Sequence, residues 1–324
     1  MATVYPRRVE SVAVVGLGTI GMSWTAYFLA RGISVRGTDI DPRAEARARD
    51  YIGRATPELE RLGLVVPAGL ARFSFHVTVE DAVDGVSFVQ ENGPENEDAK
   101  IELLARIDRA LPAEIPVASS TSALMMSTLQ QRCRHPERCF VGHPFNPPHL
   151  IPLVEIVGGK RTDAQVLDWA EAFYRAIGRE PIRLKREVYG HVANRLQYVL
   201  FNEAARLVFE GVATVQDIDA AVAWGPGMRW ALFGPFMTMH LAGGADGMAG
   251  SFRKFADRDT ACTDRAARMP LSAEQRRTLV EGVEVVAEGR TVSALEARRT
   301  NCCASYIASR SPPQPIPERE LHHV

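Results

Sequence analysis

His143 and Glu155 have the side-chain types and the surroundings of a proton-transfer pair. His143 ends an apolar run and is followed by the proline-rich segment 144–148, which cannot continue as a helix. The ordinary pKa of an imidazole, about 6.5, suits the removal of a proton from an alcohol. Glu155 lies in the apolar run 152–157, where burying a carboxylate is costly unless it is paired. We therefore expect the two to pair; a structural histidine and an acid that faces water are the alternatives.

A glycine-rich turn near the start of the chain could hold a dinucleotide. Residues 16–21 read GLGTIG and match the pattern G-x-G-x-x-G. The turn follows the β-branched run 11–15 and opens a helix, which is the context in which this pattern binds a pyrophosphate at a helix N-terminus. A glycine-rich turn without a ligand is the alternative. The residues of the turn that we expect to bind the cofactor are Gly16, Gly18, Thr19, Ile20 and Gly21.

Asp39 indicates which dinucleotide the turn would bind. It stands 18 residues after Gly21, at the end of a second β-branched run. A carboxylate there accepts hydrogen bonds from the ribose hydroxyls and repels a 2′-phosphate, so the sequence predicts NAD rather than NADP. Arg36 and Arg43 lie nearby and argue against this prediction, because a guanidinium can bind a phosphate.

Hydroxyl and amide side chains supply further candidates for catalysis. The sequence SSTS at 119–122 follows a predicted strand, where hydroxyls could donate to an oxygen that gains negative charge. A polar turn, or a helix N-cap at Ser122, is the alternative. Asn194 lies early in a predicted long helix, where its amide could reach a substrate between two domains or could be simply solvated.

A parallel sheet would bring these residues together. The order strand, glycine turn, helix, strand over residues 11–39 predicts a βαβ unit. Polar residues at the carboxyl ends of later strands then lie where ligands bind in a doubly wound sheet. The predicted strands are 11–16, 33–39, 73–77, 87–90, 116–119, 140–143, 153–157 and 181–184, and the main helices between them are 21–31, 97–111 and 163–177.

The chain becomes mainly helical after about residue 187. Residues 188–211 predict a long helix with an apolar stripe. Further helices are predicted at 215–222, 236–241, 272–288 and 292–308. The sequence thus predicts an α/β fold in which a Rossmann-type, doubly wound, mainly parallel sheet (1–187) is followed by a mainly α-helical domain (188–324).

Composition argues against several classes of function. Lys and Arg number 38 and Asp and Glu number 39, without a long run of one sign, so neither nucleic acid nor an anionic membrane surface is favoured. The five cysteines have no metal-ligand spacing and no disulfide framework, so we expect reduced thiols and no metal. We see no signal peptide and no apolar run long enough for a membrane helix, and we expect a cytoplasmic protein.

Several motifs in a fixed order resemble the L-3-hydroxyacyl-CoA dehydrogenase superfamily over about residues 10 to 245. They are the glycine turn, ENGPENEDAK at 91–100, SSTS at 119–122, HPFNPP at 143–148, PLVEIV at 152–157 and HVANR at 191–195. Within the superfamily, the segments 227–231 and 241–248 look more like those of L-carnitine dehydrogenases. The segments 143–148 and 238–241 also resemble L-gulonate 3-dehydrogenase, which is lambda-crystallin.

The resemblance implies a role for each matching residue. His143 would be the general base of an NAD-dependent 3-hydroxy acid dehydrogenase, and Glu155 would orient it. Ser122 and Asn194 would hydrogen-bond the reacting oxygen or the neighbouring carbonyl. Glu95 and Lys100 match positions that contact the nicotinamide-side ribose, to which Ser122 also lies close. The helical domain would carry a homodimer interface.

Three departures from the acyl-CoA enzymes bear on the substrate. Ser120 stands where they usually have Asn, and residues 51–70 lack the lysines that help them hold CoA. The segment 227–230 reads GMRW instead of a Pro-Met-Gly-Pro-type stretch. Arg229 could bind a free carboxylate in bidentate fashion, or it could brace the second domain.

We expect a free 3-hydroxy acid, with L-carnitine or a related acid favoured. The quaternary ammonium of carnitine is a ligand for aromatic faces, although aromatic residues at helical spacing are more often core. The residues that we expect to bind the substrate are Ser122, Asn146, Asn194, Arg229 and Trp230, and the aromatic cluster around Arg229 consists of Trp224, Trp230, Phe233 and Phe236. L-gulonate and a 3-hydroxyacyl-CoA are alternative substrates, and a crystallin-like NAD-binding structural protein is the non-enzymatic alternative.

Overall fold

The computed structural model describes residues 5, 6, 8–64, 69–247 and 249–254, with the single positions 272, 274 and 294. By their internal contacts these residues form two units, one ending at Val192 and the other beginning at Ala193. The predicted helices at 272–288 and 292–308 lie outside the described residues.

The described residues of the first unit form a sheet of eight strands, one at each predicted position. The strands are β1 (Ser11–Val15), β2 (Ser34–Thr38), β3 (Phe73–His76), β4 (Phe88–Glu91), β5 (Val117–Ser119), β6 (Cys139–Pro144), β7 (Leu153–Gly158) and β8 (Glu180–Arg183). Their order is β3-β2-β1-β4-β5-β6-β7-β8. The first six are parallel, β7 is antiparallel to β6, and β8 is parallel to β7. The Rossmann-type α/β fold with a mainly parallel sheet is confirmed.

Both faces of the sheet are covered, which explains why β1 is apolar along almost its whole length. Along β1, Val12 and Val14 belong to one buried cluster and Ala13 and Val15 to the other, as the two-residue period of a strand requires. The first cluster is closed by aromatic residues of two helices, including Trp24 and Phe173. Burial on both faces makes this sheet the rigid platform of the unit.

Six α-helices flank the sheet in the described part of the first unit. They are α1 (Thr19–Ala30), α2 (Ala44–Arg61), α3 (Val79–Val83), α4 (Glu97–Arg109), α5 (Met126–Leu129) and α6 (Ala164–Ala176). The alternative interpretation of Ser122 as a helix N-cap is wrong, because α5 begins at Met126 and its N-cap is Met125. Ser122 therefore lies in the loop between β5 and α5.

The described part of the second unit contains three helices. They are α7 (Ala193–Phe209), α8 (Val215–Trp224) and α9 (Pro226–Ala242), and α9 contains the predicted segment 236–241. The glycine at 234 (φ +71°), followed by Pro235, interrupts the helical backbone within α9. None of the helices in the described part of the chain combines the length and the apolar character that crossing a bilayer needs.

The prediction that the long helix begins at residue 188 is wrong. Gly190 (φ +77°) and His191 (φ +49°) adopt left-handed backbone conformations, which a right-handed helix cannot contain. The periodic apolar pattern begins before the helix does. Val188 and Val192 fall on the same apolar stripe, but α7 starts only at Ala193. Residues 188–192 are instead a non-helical segment at the end of the first unit.

Candidate active site

Polar residues follow four parallel strands at one edge of the sheet. The glycine turn follows β1, residues 92–96 follow β4, the serine loop 120–123 follows β5, and His143 lies at the end of β6. Strands β2 and β3 lie on one side of β1, and β4 and the later strands lie on the other. Ligands of doubly wound sheets bind at such a topological switch point, here between β1 and β4. The fold therefore gathers the predicted cofactor and catalytic residues of the first unit at its ligand-binding edge.

His143 and Glu155 are brought together by the antiparallel pairing of β6 and β7, in which they are direct partners. Nδ1 of His143 lies 2.8 Å from Oε2 of Glu155. Because a carboxylate only accepts, Nδ1 carries the hydrogen and the neutral ring has a bare lone pair on Nε2. Glu155 has no exposure to solvent, which excludes the alternative of an acid that faces water.

The other oxygen of Glu155 anchors the end of the first unit. Oε1 accepts a hydrogen bond of 2.9 Å from the backbone N–H of Val192. The carboxylate is thus held between the catalytic histidine candidate and the segment that leads into α7. Both interactions favour its charged form, as a buried carboxylate requires.

Sequence reasoning missed a second imidazole next to this pair. The His191 ring is buried, and its centroid lies 5.1 Å from that of His143. Burial, ahead of the nearby His143, lowers the pKa of His191, while a hydrogen bond to Thr121 and the charges of Glu155 and Glu95 oppose this shift. The available signal was a histidine within the apolar start of a predicted helix, in the same HVANR segment as Asn194.

Glu95 organises the loop that carries Ser122. Its Oε1 accepts hydrogen bonds from Oγ1 of Thr121 at 2.7 Å, from the backbone N and Oγ of Ser122 at 2.8 and 3.1 Å, and from the backbone N of Ala123 at 3.1 Å. Although burial alone would raise the pKa of Glu95, the bond from Thr121, the charge of Lys100 and the bonds from Ser122 together lower it. Two predicted cofactor residues, Glu95 and Ser122, therefore lie in contact.

Lys100 is buried below this loop. Its Nζ donates to both carboxylate oxygens of Glu91, at 2.9 and 3.1 Å, and to the carbonyl oxygen of Gly93 at 3.1 Å. It lies 3.7 Å from Glu95. Glu91, which also accepts from Ser119, is a partner that the sequence analysis did not identify. With its donors directed to these groups, Lys100 supports the loop 92–95 from within the protein.

The glycine turn has the shape that a dinucleotide requires. A Cβ atom on Gly16 would lie 2.6 Å from the carbonyl oxygen of Asn92, and one on Gly21 would lie 1.8 Å from that of Gly16. A Cβ on Gly18 would meet no atom within 4 Å, so this face of the turn is open. No side chain caps α1, and its first turn contains no acidic residue. Thr19 and Ile20, the first residues of α1, are exposed and partly exposed. The open turn and the uncapped helix N-terminus fit a pyrophosphate.

Asp39 fixes the same turn from the neighbouring strand. Its Oδ2 accepts from the backbone N of Leu17 at 2.7 Å, and its Oδ1 accepts from that of Asp41 at 2.9 Å. Each oxygen retains a lone pair for a ribose hydroxyl. The two arginines that argued for NADP have other partners: Arg36 donates to the carbonyl groups of residues 81 and 82, and Arg43 pairs with Asp41.

The remaining predicted site residues have different locations. Asn146 is exposed in the loop after β6. The other three belong to the second unit: Asn194 is the second residue of α7 and is partly exposed, and Arg229 and Trp230 lie exposed in the first part of α9. Among the neighbouring aromatic residues, Trp224 and Phe236 are 80% and 81% exposed, so the core interpretation does not hold for them within the described chain.

Both parts of the chain match models of one protein family. Residues 11–188 match the NAD-binding domain of 3-hydroxyacyl-CoA dehydrogenase, and residues 190–288 match its C-terminal domain. A relative named L-carnitine dehydrogenase from Nocardiopsis dassonvillei is 46% identical, with 91% of this chain and 89% of the relative aligned. A protein of the same name from Bacillus cereus is 42% identical over 90% of this chain and 89% of its own length.

Solved structures show the same architecture. The structure of 5-formyl-3-hydroxy-2-methylpyridine 4-carboxylic acid 5-dehydrogenase, described as an NAD⁺-dependent dismutase, superposes with a TM-score of 0.78. It is 29% identical in sequence, and the match covers 93% of this chain and 97% of that one. For 3-hydroxybutyryl-CoA dehydrogenase from Escherichia coli the TM-score is 0.65 at 26% identity, over 85% of this chain and 57% of that one.

Alanine substitutions at two glycines should separate the contribution of the turn to stability from its contribution to cofactor binding. Gly21→Ala forces a Cβ against the backbone, and we expect it to lower the free energy of unfolding by about 3 kcal/mol. Gly18→Ala points into open space at a backbone conformation that alanine accepts, so stability should change by less than about 0.5 kcal/mol. The Kd of NADH should nevertheless rise at least about tenfold in Gly18→Ala, a loss of about 1.4 kcal/mol.

Thermal unfolding and NADH titration by fluorescence measure both quantities for both variants. Unchanged NADH affinity in Gly18→Ala would contradict the placement of the pyrophosphate at this turn.

Proposed function

The chain belongs to the 3-hydroxyacyl-CoA dehydrogenase family and is an NAD-dependent oxidoreductase, and we propose that it oxidises the secondary alcohol of a free 3-hydroxy acid, with L-carnitine the favoured substrate. The observation that carries this proposal is the His143–Glu155 pair, whose bare Nε2 lies at the sheet edge that also holds the glycine turn.

The chemistry follows from the charge state of the pair. NAD, held at the glycine turn with Asp39 at its ribose, supplies the hydride acceptor when bound. His143 removes the hydroxyl proton of the substrate on Nε2 and becomes an imidazolium. Glu155 stays ionised, keeps Nδ1 protonated and stabilises the positive charge that forms 2.8 Å away. In the reverse direction the same imidazolium protonates the oxygen.

Ser122 and Asn194 are proposed to hydrogen-bond the reacting oxygen or the carbonyl next to it. Ser122 lies on the loop that Glu95 fixes, and its one hydroxyl hydrogen is donated to Oε1 of Glu95, so this hydrogen has to turn toward the substrate oxygen when the substrate binds. Asn194 lies at the start of α7, where the amide of the second helical residue is partly exposed. Hydrogen bonds from such groups lower the barrier where negative charge develops on oxygen.

The choice of a free acid rests on the relatives and on Arg229. The two relatives above are named L-carnitine dehydrogenase and align along nearly the whole chain. Arg229 is exposed and has no acidic partner among the described residues, so its guanidinium is available for a carboxylate. Trp230, its neighbour, offers an aromatic face for a quaternary ammonium. Asn146 is proposed to contribute a further polar contact.

A panel of three substrates tests the proposal. We expect NADH formation with L-carnitine to exceed that with L-gulonate and with a 3-hydroxybutyryl thioester, as measured by absorbance of the reduced nicotinamide. In Arg229→Gln the KM for the free acid should rise about 10- to 100-fold, because a charge-assisted hydrogen bond is lost. The thioester has no carboxylate at this position, so its KM is the control. Activity on the thioester alone would exclude a free acid as substrate.

His143→Ala tests the assigned base. We expect kcat to fall about 100- to 10,000-fold, the usual contribution of a positioned general base. The Kd of NADH should stay unchanged, because the glycine turn and Asp39 are intact. His135→Ala, which removes a half-exposed histidine paired with Glu137, is the matched control. Full turnover in His143→Ala would refute the assignment of His143 as the base, whereas a wild type that binds NADH but oxidises no substrate would favour the crystallin-like alternative.

We also propose that the second unit carries a homodimer interface. Leu196, Tyr198, Val199 and Phe201 of α7 are between 50% and 62% exposed, a density of apolar side chains that favours burial against a partner. Light scattering should give a mass twice that of the chain. Val199→Glu should shift it toward the monomer, whereas Gln197→Glu, at an exposed polar position, should not. A monomeric wild-type protein would contradict this proposal.

A further inference from the structure

His191 is a buried imidazole that the mechanism above does not use. Only 1% of the residue is exposed, and Nε2 lies 3.0 Å from the backbone oxygen of Thr121. Because a carbonyl oxygen only accepts, Nε2 carries the hydrogen, and Nδ1 of the neutral ring is a bare acceptor. This Nδ1 is buried and has no hydrogen-bond partner among the residues that the structure describes. The ring is therefore held as a single tautomer by one contact.

The backbone at His191 is strained. It has a φ of +49°, the one positive value among the described non-glycine residues. Conformations of this kind persist where the surrounding structure requires them. Here the turn at residues 190–191 directs the next N–H, that of Val192, onto Oε1 of Glu155 at 2.9 Å.

Three consecutive residues, which we call the 190–192 strap, join the two halves of the candidate site. The backbone N of Gly190 donates to the carbonyl oxygen of Ala123 at 3.1 Å. Nε2 of His191 donates to that of Thr121, and the backbone N of Val192 donates to Glu155. The strap thus connects the loop that carries Ser122 with the carboxylate that orients His143.

We propose that His191 is a positioning residue, which as a neutral ring locks the 190–192 strap and thereby fixes Glu155 and the loop 121–123 relative to each other. The inference rests on the proposed role of His143. It accounts for the left-handed backbone at His191, which aims the Val192 N–H at Glu155 while Nε2 of the ring reaches Thr121.

Neutrality of His191 matters for the charge balance of the site. His143 becomes positive when it takes the proton of the alcohol, and its ring lies 5.1 Å from that of His191. The charged groups facing His191 are Glu155 on β7 and Glu95 on the loop after β4, which favour its protonation, while burial and His143 oppose it. The pKa of His191 is lowered from 6.5 on balance, so the ring is neutral at pH 7. The imidazolium of His143, offset by the carboxylate of Glu155, is then the one positive charge that forms there. A charged His191 would add a second.

Two substitutions at position 191 separate positioning from mere packing. His191→Gln keeps a neutral N–H donor near the position of Nε2, whereas His191→Phe keeps a ring of similar size without a donor. Both carry a side chain at the same positive φ, so backbone strain is matched between them. His135→Gln, at the half-exposed histidine, is the surface control.

In His191→Phe we expect kcat to fall about 10- to 100-fold, the effect of a small misplacement of catalytic groups. KM, the Kd of NADH and the melting temperature should stay close to those of the wild type. His191→Gln should restore kcat to within about threefold, because the strap keeps its donor. Equal losses in both variants, or no loss in either, would overturn the proposal.

Nitrogen-15 NMR of the imidazoles in the NADH-bound full chain provides a readout that needs no substrate, and the wild-type spectrum alone tests the tautomer and charge of His191. The wild type should show neutral His191 as the Nε2–H tautomer at pH 7, and His143 with its hydrogen on Nδ1. The low-field Nδ1–H proton of His143 should broaden in His191→Phe and persist in His191→Gln. A charged His191, or the Nδ1–H tautomer, would refute the inference. If the wild type oxidises none of the substrate panel, the proposed function fails, while these spectra still decide the role of His191.

Discussion

The site depends on a carboxylate that has no contact with water. A buried charge of this kind is stable only if donors satisfy it from within the protein, and Glu155 finds them on two sides. One donor is His143, which the antiparallel pairing of β6 and β7 places directly opposite. The other is the backbone N–H of Val192, which immediately precedes α7 and is not used by the hydrogen bonds of that helix. The hydrogen bonds that Glu155 requires therefore constrain both the edge of the sheet, through His143, and the 190–192 strap just before α7, through Val192.

The same constraint acts a second time, three strands away in the sheet. Glu91, at the end of β4, is also fully buried and is satisfied by Lys100, Ser119 and the backbone of Gly93. Removing one partner of such a pair would leave an uncompensated charge, which typically costs about 3 to 5 kcal/mol. The loops after β4 and β5 thus owe their positions to interactions below the surface. The residues expected to contact ligands, Glu95 and Ser122, sit on a support that forms part of the core.

Much of this arrangement could be predicted from the sequence because it depends on local patterns. Short runs of strand-forming residues between turns located the eight strands of the described sheet, and the apolar surroundings of Glu155 indicated that it needed a partner. The remainder depends on contacts between residues far apart in the chain. Lys100 is separated from Glu91 by a turn whose path the sequence does not reveal, and Glu95 reaches Ser122 across 27 positions. The start of α7 was misplaced because apolar periodicity reports a stripe of side chains and not the backbone angles of Gly190 and His191.

A second cluster shows why geometry alone would not identify the catalytic histidine. His149 is bonded through Nδ1 to Oγ of Ser23 and through Nε2 to Glu58, both at 2.8 Å, which has the appearance of a hydrolytic triad. Ser23 is fully buried, and it also accepts from the backbone N of His149. Both ring nitrogens of His149 are satisfied within the protein, so this cluster only ties α1 and α2 to the loop after β6.

The three histidines that are buried in the described part of the chain differ in the ring nitrogen that each leaves free to bind a ligand. His149 has no free nitrogen, and His191 has a bare Nδ1 that is fully buried. His143 has one nitrogen fixed by Glu155, and its Nε2 makes no hydrogen bond with the described residues. A general base needs one ring nitrogen held and the other available at the ligand-binding edge. His143 alone of the three meets both conditions, and this distinction follows from counting donors and acceptors rather than from proximity.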